Sequence, residues 1–358
     1  MSIDALKINT LKAWWFAVMQ DQTQVRVLRF AVGVTLSATL AYAVNWPLAF
    51  LLPVLVTFLL SLPLPVMSLT MGFRNMKQTL LAFVLGLVFA LFFLRFPSIF
   101  LIMLTLVMFH LYYYLNRGGS LWFTLLSFIG VLLLSMLGNS NEGLSVVISL
   151  GFIGTAWITI VMVWVAHYLI PDPHSTVFHK EPTFQGVYSK AAAQTALKST
   201  LVILPLASLF FIFNLVDYLL VMIFSTLFIL KPELSEGKEA GVKSLVSTLL
   251  GGAYAWFFYW LIVAVPEFYF YVALIFLTSL VFGRHIFSGH ENSKYYASAL
   301  IALFVLINDS MGEGANFSEL LIIRIALITL AVIYITSALK IIESYWPSEK
   351  LIKTKDVN

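Results

Sequence analysis

Long runs of apolar residues alternate with short polar gaps along almost the whole of this chain. Most of the runs are roughly 15 to 25 residues long, about the length that a helix needs to cross the hydrocarbon of a bilayer. The pattern therefore predicts twelve membrane-spanning helices. They fall at Val25–Val44, Pro47–Leu64, Lys77–Leu94, Ser98–Leu115, Leu121–Leu137, Leu144–Ile170, Ala191–Phe213, Tyr218–Leu230, Lys243–Val265, Phe268–Phe282, Tyr295–Ile307 and Leu320–Ile342.

The composition agrees with lipid rather than water as the surrounding solvent. Hydrophobic residues make up 61% of the chain and charged residues 11%, and the mean hydropathy is +0.95. So few charges could not cover the surface of a soluble protein, whereas a surface that faces lipid needs no polar cover. The predicted fold class is an all-α polytopic membrane protein.

Positive charge is distributed very unevenly between alternate gaps. If all twelve runs cross, nineteen of the 21 Lys and Arg residues lie on one side, and the exceptions are Arg95 and Arg324. Lys and Arg accumulate in cytoplasmic loops because their translocation is unfavourable. The second run, which contains Pro53 and Pro63, and the short eighth run are the weakest spans, but a re-entrant second run would spoil the sorting. We therefore expect twelve crossings with both termini in the cytoplasm.

The segments outside the spans are short. Residues 1–24 indicate a cytoplasmic segment that lies at the membrane interface, 171–189 a polar cytoplasmic linker, and 347–358 a cytoplasmic tail. Between them lie two membrane regions, 25–170 and 190–346. No cleavable signal peptide is expected. The chain has no cysteine, which excludes a disulfide framework and a thiol nucleophile.

The two membrane regions resemble each other at a nearly constant offset. Asn45 matches Asn214 at a distance of 169 residues, and Arg74 matches Lys243 at the same distance. Six crossings in each unit give both halves the same orientation. The pattern therefore predicts two parallel six-helix repeats, related by a pseudo-twofold axis along the membrane normal. Repeats around such an axis commonly enclose a transport pathway.

Each half enters its third span through a turn glycine, basic residues and an apolar helix that contains glycine. These residues are Gly72, Arg74, Lys77 and Gly86 in the first half, and Gly237, Lys238, Gly241, Lys243, Gly251 and Gly252 in the second. This order resembles the fusaric acid resistance protein-like superfamily, which includes aromatic acid exporters and plant malate-permeable anion channels. The early segments 26–30 and 45–49 look similar to a compact bacterial branch of that superfamily, whose function is poorly defined.

The resemblance implies a bacterial inner-membrane efflux transporter component that is driven by the proton gradient. Its substrates would be small organic anions, such as aromatic acids, or hydrophobic drugs. The partners that the resemblance allows are a periplasmic adaptor protein and a second copy of the chain in a homo-oligomer, besides the lipid bilayer. The longer exporters carry a cytoplasmic domain after the first membrane half, and this chain has only a short linker there.

Four ionisable residues are candidates for proton coupling. Asp309 ends the eleventh run and Arg324 lies about one turn into the twelfth, so protonation of the carboxylate could release the arginine. An ion pair that only holds the two helices together would explain the same residues. Asp217 and Glu313, near the same predicted outer surface, complete the set.

Six residues are candidates for the substrate path. Four are cations near the cytoplasmic ends of matched spans, where they could line an anion-attracting vestibule or simply follow the positive-inside rule. The other two belong to an aromatic run that could stack with a substrate or form an ordinary interfacial belt. The set is Arg74, Lys77, Lys238, Lys243, His110 and Tyr112.

The sequence contains none of the motifs that we would expect in an enzyme. We find no paired-histidine metal spacing, no phosphate-binding glycine loop followed by Lys-Ser or Lys-Thr, and no nucleophile elbow. We therefore expect no enzymatic activity, no cofactor and no metal. The pI of about 9.1 follows from the charge sorting and does not indicate nucleic-acid binding. A passive anion channel and a non-transporting membrane assembly protein remain alternatives to the exporter.

Overall fold

A computed structural model describes residues 21–62, 67–171, 184, 186–215, 222, 226, 234–310 and 317–346. Every regular element in these parts of the chain is a helix. The protein is thus a polytopic all-α membrane protein, as the sequence predicts. Its α-helices are α1 (Gln22–Ala43), α2 (Leu51–Ser61), α3 (Leu69–Leu91), α4 (Pro97–Asn116), α5 (Leu121–Ser140), α6 (Glu142–Leu169), α7 (Lys190–Ile212), α8 (Leu234–Ala264), α9 (Phe268–Ile286), α10 (Ser293–Ser310) and α11 (Phe317–Tyr345).

Nine of the described helices are long and apolar enough to cross a membrane, namely all except α2 and α10. Helix α2 has 11 residues and begins late, because Asn45 and Leu48 before it adopt left-handed backbone conformations. Helix α10 matches the predicted eleventh span in position but is less apolar than the nine. The predicted eighth span, 218–230, lies outside the described residues apart from Met222 and Thr226. The count of twelve stays a prediction.

The chain folds into two compact units, and each contains segments from both halves of the sequence. Unit one contains the described parts of Met1–Gly72, Thr155–His179 and Val246–Leu321. Unit two contains those of Phe73–Gly154, Lys180–Leu245 and Ile322–Asn358. Subtracting 169 from 246–321 gives 77–152, which nearly coincides with Phe73–Gly154 of the other unit. If the second half repeats the first at this offset, these equivalent segments of the two halves lie in different units. Each unit then contains segments from both halves.

In unit one the core forms around α1, which packs against α9 and α2, while α10 packs against α2 and α9. The side chains at the α1–α9 contact are complementary, because Gly283 lies against Val27 and Phe30. The ring of Phe30 also meets Phe287 edge-on at a centroid distance of 5.9 Å. Small residues of this kind allow membrane helices to approach closely.

In unit two the core forms around α4, which packs against α7 and α5. Phe100 of α4 meets Phe211 of α7 edge-on, with ring centroids 4.7 Å apart. Tyr112 is fully buried in the same helix, and its hydroxyl donates a hydrogen bond of 3.0 Å to the carbonyl of Thr226. The burial of this hydroxyl is therefore accompanied by a satisfied hydrogen bond.

The first helices of the two halves end in the same way. After α1 and after α7 the chain turns at Asn45 and Asn214, whose φ angles are 52° and 49°. The N–H of the next residue then donates back five positions, from Trp46 to the Ala41 carbonyl at 2.8 Å and from Leu215 to the Phe210 carbonyl at 3.0 Å. This is the Schellman type of helix end, in which asparagine tolerates the left-handed position.

In each half, a buried cation donates a hydrogen bond to a backbone carbonyl at the end of the sixth span. The guanidinium of Arg29 in α1 donates to the carbonyl of Ile170 at 3.3 Å, and the ammonium of Lys198 in α7 donates to the carbonyl of Trp346 at 2.8 Å. The two cations are 169 residues apart, and each acceptor stands directly before a proline. A cation at a helix C-terminus satisfies a carbonyl that the helix leaves open and interacts favourably with the helix dipole.

Close helix contacts repeat as well. A side chain at Gly86 of α3 would overlap the backbone of Gly130 in α5, and one at Gly251 of α8 would overlap the backbone of Ala299 in α10. In both halves the third span thus approaches the fifth at a glycine. These matched contacts lie within single units and agree with the predicted duplication, which stays a prediction.

We predict that Arg29→Met and Lys198→Met destabilise the protein to a similar extent, because each removes the hydrogen bond from a buried cation to a carbonyl at a helix end. The loss of such a bond should cost about 1–3 kcal/mol. Thermal unfolding of the purified protein in detergent measures the effect. Lys190→Met is the matched control, since Lys190 lies exposed on α7. Equal midpoints for Lys198→Met and the control would contradict the assignment.

Candidate functional site

Unit two contains a cavity of about 410 Å³ at the C-terminal end of α4. This volume lies in the range of small-molecule sites. Aromatic and aliphatic side chains form most of the wall, which also contains one arginine and one histidine. The lining residues are Leu85, Val107, His110, Leu111, Tyr113, Tyr114, Arg117, Phe123 and Phe184.

The end of α4 places Arg117 at the cavity. Gly118 follows it with φ of +82°, and the N–H of Gly119 donates to the Tyr114 carbonyl at 3.0 Å while the N–H of Gly118 donates to Leu115 at 3.0 Å. This pair of bonds is a Schellman motif in which Arg117 occupies the Ccap position. The positive charge of Arg117 therefore lies at the negative end of the helix dipole.

The start of α5 forms another side of the cavity. Ser120 caps this helix by accepting a hydrogen bond from the N–H of Phe123 at 3.3 Å, and its hydroxyl donates to Gln78 of α3 at 2.9 Å. Phe123 then meets the ring of Tyr114 edge-on at 5.7 Å. Ser120 thus helps to position the ring of Phe123 and connects Gln78 of α3 to the turn that follows Arg117.

Two aromatic rings lie close to the Arg117 guanidinium. Its central carbon is 5.0 Å from the centroid of the Tyr113 ring and 4.8 Å from that of the Phe184 ring. Both distances are within the range in which a cation is attracted to the face of a ring. The contacts restrain a side chain that otherwise has many rotamers.

The described end of the linker packs against α4. The N–H of Ser189 donates to the Tyr113 hydroxyl at 3.3 Å, and the Tyr188 ring lies 6.4 Å from the Tyr113 ring. Phe184 lies 5.4 Å from the ring of Tyr114. The sequence predicts only a linker here, and in the structure Phe184 of this segment forms part of the cavity wall.

His110 lies one α-helical turn before Tyr114 and faces the cavity with an exposed side chain. Its Nδ1 is 2.6 Å from the carbonyl oxygen of Leu106. A carbonyl can only accept a hydrogen bond, so we assign the proton to Nδ1. The other ring nitrogen, Nε2, is then a hydrogen-bond acceptor.

The cavity is chemically suited to a small molecule with an apolar body and a negative group. Its rings offer surfaces for stacking, and a guanidinium is charged at any physiological pH and binds carboxylates through two parallel hydrogen bonds. Within the described residues, no group of three or more His, Asp or Glu side chains could hold a metal ion.

The predicted path residues all belong to unit two, as the cavity does. His110 lines the cavity, whereas Tyr112 faces the core. Arg74 and Lys77 are exposed on α3. They are close in sequence to Gln78, whose side chain accepts a hydrogen bond from Ser120 before α5. Lys243 is half-buried on α8, and Lys238 belongs to the same helix.

The predicted proton-coupling residues are not part of the cavity. Asp309 is half-buried at the end of α10 in unit one and accepts a hydrogen bond of 3.4 Å from the side chain of Asn308. Arg324 is half-buried on α11 in unit two. Asp217 and Glu313 lie outside the described residues. A switch that links Asp309 and Arg324 stays a prediction.

Sequence reasoning missed Arg117 and most of the aromatic wall. The signal was present, because Tyr113 and Arg117 are four residues apart and share a helix face, and two glycines directly after Arg117 mark the helix end. The sequence analysis selects only His110 and Tyr112 from this aromatic run and leaves an interfacial belt as the alternative explanation. Phe184 gave no local signal, since it is 67 residues from Arg117 along the chain.

One comparison with known proteins gives a match. Residues 26–166, which run from α1 to near the end of α6, match the model of a family described as "Protein of unknown function (DUF2955)". No curated protein and no solved structure matches the chain. The family match covers the first half only and carries no activity. It does not confirm the resemblance to the fusaric acid resistance protein-like superfamily, which stays a prediction.

We predict that Gly119→Ala destabilises the protein and disturbs the cavity, because the new methyl group would overlap the ring and carbonyl of Tyr114. Overpacking of this kind should cost about 1–3 kcal/mol. Gly186→Ala is the control, since open space surrounds Gly186. Thermal midpoints in detergent should fall for the first variant and stay constant for the second; equal midpoints would refute the described geometry of the turn.

Proposed function

We propose that this membrane protein exports small organic anions, with aromatic acids as the favoured class. The observation that carries the proposal is the cavity in unit two, in which the guanidinium of Arg117 lies among aromatic side chains. An aromatic carboxylate offers a ring for the walls and a charge for the arginine. Hydrophobic drugs without a negative group would use only the walls and should bind less well.

The proposed direction of transport follows from the charge sorting. With the termini in the cytoplasm, α4 ends on the cytoplasmic side, so the cavity would receive its ligand from inside the cell. The exposed cations Arg74 and Lys77 belong to the same unit and would raise the local concentration of anions near that surface. A loading site on the cytoplasmic side is what an exporter requires.

Energy for the transport would come from the proton gradient. The sequence contains no phosphate-binding loop that would support ATP hydrolysis. Asp309 and Arg324 are the proposed coupling pair. We place the protein in the bacterial inner membrane, without enzymatic activity, where a periplasmic adaptor would continue the path outwards.

A passive anion channel is the second candidate. The exposed cations of unit two would favour anion entry in a channel as they would in an exporter. Flux of benzoate from liposomes distinguishes the two. Flux that depends on an imposed pH gradient supports the exporter, gradient-independent flux supports the channel, and no flux supports a membrane assembly protein.

We predict that Arg117→Gln lowers benzoate flux about tenfold or more, because the glutamine amide cannot replace a charged bidentate contact. Arg284→Gln is the matched control: Arg284 also ends a membrane helix, is exposed and lies outside the cavity. Both variants should insert and purify like the unaltered protein. Equal losses in both variants would indicate a general effect of positive charge and would remove the cavity from the mechanism.

We predict that Asp309→Asn abolishes flux driven by a pH gradient but preserves exchange of benzoate across the membrane. The substitution keeps the shape of the side chain and removes its titration. Glu319→Gln, a change of equal charge at an exposed position of α11, should leave gradient-driven flux unchanged. Gradient-driven flux that survives in Asp309→Asn would show that this carboxylate does not couple protons.

A further inference from the structure

We propose that the described end of the linker between the two halves, residues 184 and 186–189, contributes Phe184 to the cavity as a positioning residue for Arg117. The inference rests on the proposed function, namely that the cavity binds an anion. It differs from that proposal in assigning the shape and affinity of the anion site to a segment outside the membrane helices.

The first observation is that the linker reaches the end of α4 at several points. Phe184 approaches Arg117 and Tyr114, Tyr188 approaches Tyr113, and the backbone N–H of Ser189 donates to the Tyr113 hydroxyl at 3.3 Å. Ser189 is also the capping residue of α7 and accepts from the N–H of Ala192 at 3.3 Å. One end of this segment is therefore fixed to two helices of unit two.

The second observation concerns the origin of the two rings beside the guanidinium. Tyr113 precedes Arg117 by four residues, so one ring comes from the same helix face and is present whenever α4 is folded. The other ring, at 4.8 Å, comes only from the linker. With Tyr113 alone, the guanidinium would keep only one of its two ring contacts, and the long side chain would be less restrained.

The chemical consequence follows from the planarity of the guanidinium. Its N–H bonds lie in the plane, and a carboxylate binds them in that plane, so contacts that restrain the side chain also restrain the direction in which these bonds point. The rings also remove water from the faces and thereby strengthen the interaction with an anion. Phe184 is thus expected to increase the affinity for an anion without touching its charged group.

The opposite effect would follow if Phe184 occupied the place of the ligand's own ring. In that case the side chain would compete with the ligand, and its removal would increase the affinity. The two effects differ in sign, so one substitution distinguishes them.

The test uses the purified full-length protein and titration calorimetry with two probes, benzoate and the neutral benzyl alcohol. Phe184→Ala should weaken benzoate binding about three- to tenfold, in keeping with the strength of a cation–ring contact, and should change benzyl alcohol binding little. Phe184→Tyr should restore the affinity for benzoate. Val187→Ala, at an exposed position of the same linker, should have no effect. A collapsed cavity would weaken both probes equally and would overturn the positioning role.

A second measurement does not depend on any ligand. Phenylglyoxal modifies arginine side chains, and mass spectrometry of the digested protein gives the rate at Arg117. Removal of the covering ring should raise this rate severalfold in Phe184→Ala and leave it unchanged in Val187→Ala. If Phe184→Ala does not fold, Phe184→Leu serves for both measurements. An unchanged rate at Arg117, or tighter benzoate binding by the alanine variant, would overturn the inference.

The proposed function and this inference fail in different ways. If Arg117→Gln binds benzoate as well as the unaltered protein does, the cavity is not the anion site, and the positioning role falls with it. If Arg117→Gln loses binding while Phe184→Ala keeps it, the anion site stands and the linker has no part in it.

Discussion

The last turn of a membrane helix leaves backbone carbonyl groups without intrahelical hydrogen-bond donors, and lipid cannot supply such donors. Each open carbonyl in an apolar environment is unfavourable by several kcal/mol. The described helices meet this constraint in two ways. After α1, α4 and α7 the chain turns at a left-handed residue, and backbone N–H groups of the turn donate to carbonyls of the last helical turn. At the ends of α6 and α11, a carbonyl accepts a hydrogen bond from Arg29 and from Lys198, respectively. The same constraint shapes the candidate site, because the turn that closes α4 places Arg117 at the cavity.

Fold class and most helices could be predicted from hydropathy, since length and apolar content are local properties of the sequence. The second span was predicted too long because the backbone turns at Asn45 and Leu48 depend on conformations that hydropathy does not measure. Units that interleave the two halves were not foreseen either. Such an arrangement depends on contacts between distant segments, which no local pattern records.

The candidate site was predictable only in part, and the reasons are geometric. Neighbouring residues on a helix point about 100° apart, so Tyr112 faces the core while Tyr113 faces the cavity, although both belong to one aromatic run. Hydropathy cannot separate them. His110 was found because a histidine within an apolar run is unusual, whereas Arg117 was hidden among the other cations of the cytoplasmic side. The place of Phe184 in the site could be recognised only from the structure, because its contact with α4 joins residues that are far apart in the sequence.

The interleaving of the two units has a consequence for biosynthesis. Unit one needs Val246–Leu321 as well as the first segments of the chain, so the helices made first cannot complete their packing when they enter the membrane. At about 5–20 residues per second they wait roughly ten to fifty seconds for their partners. Apolar helices tolerate such a delay, because their backbone hydrogen bonds are already made and lipid covers their side chains. A ribosome that stalled after the first half would leave a set of inserted helices without either finished unit, a substrate for the membrane's quality-control proteases rather than a smaller working protein.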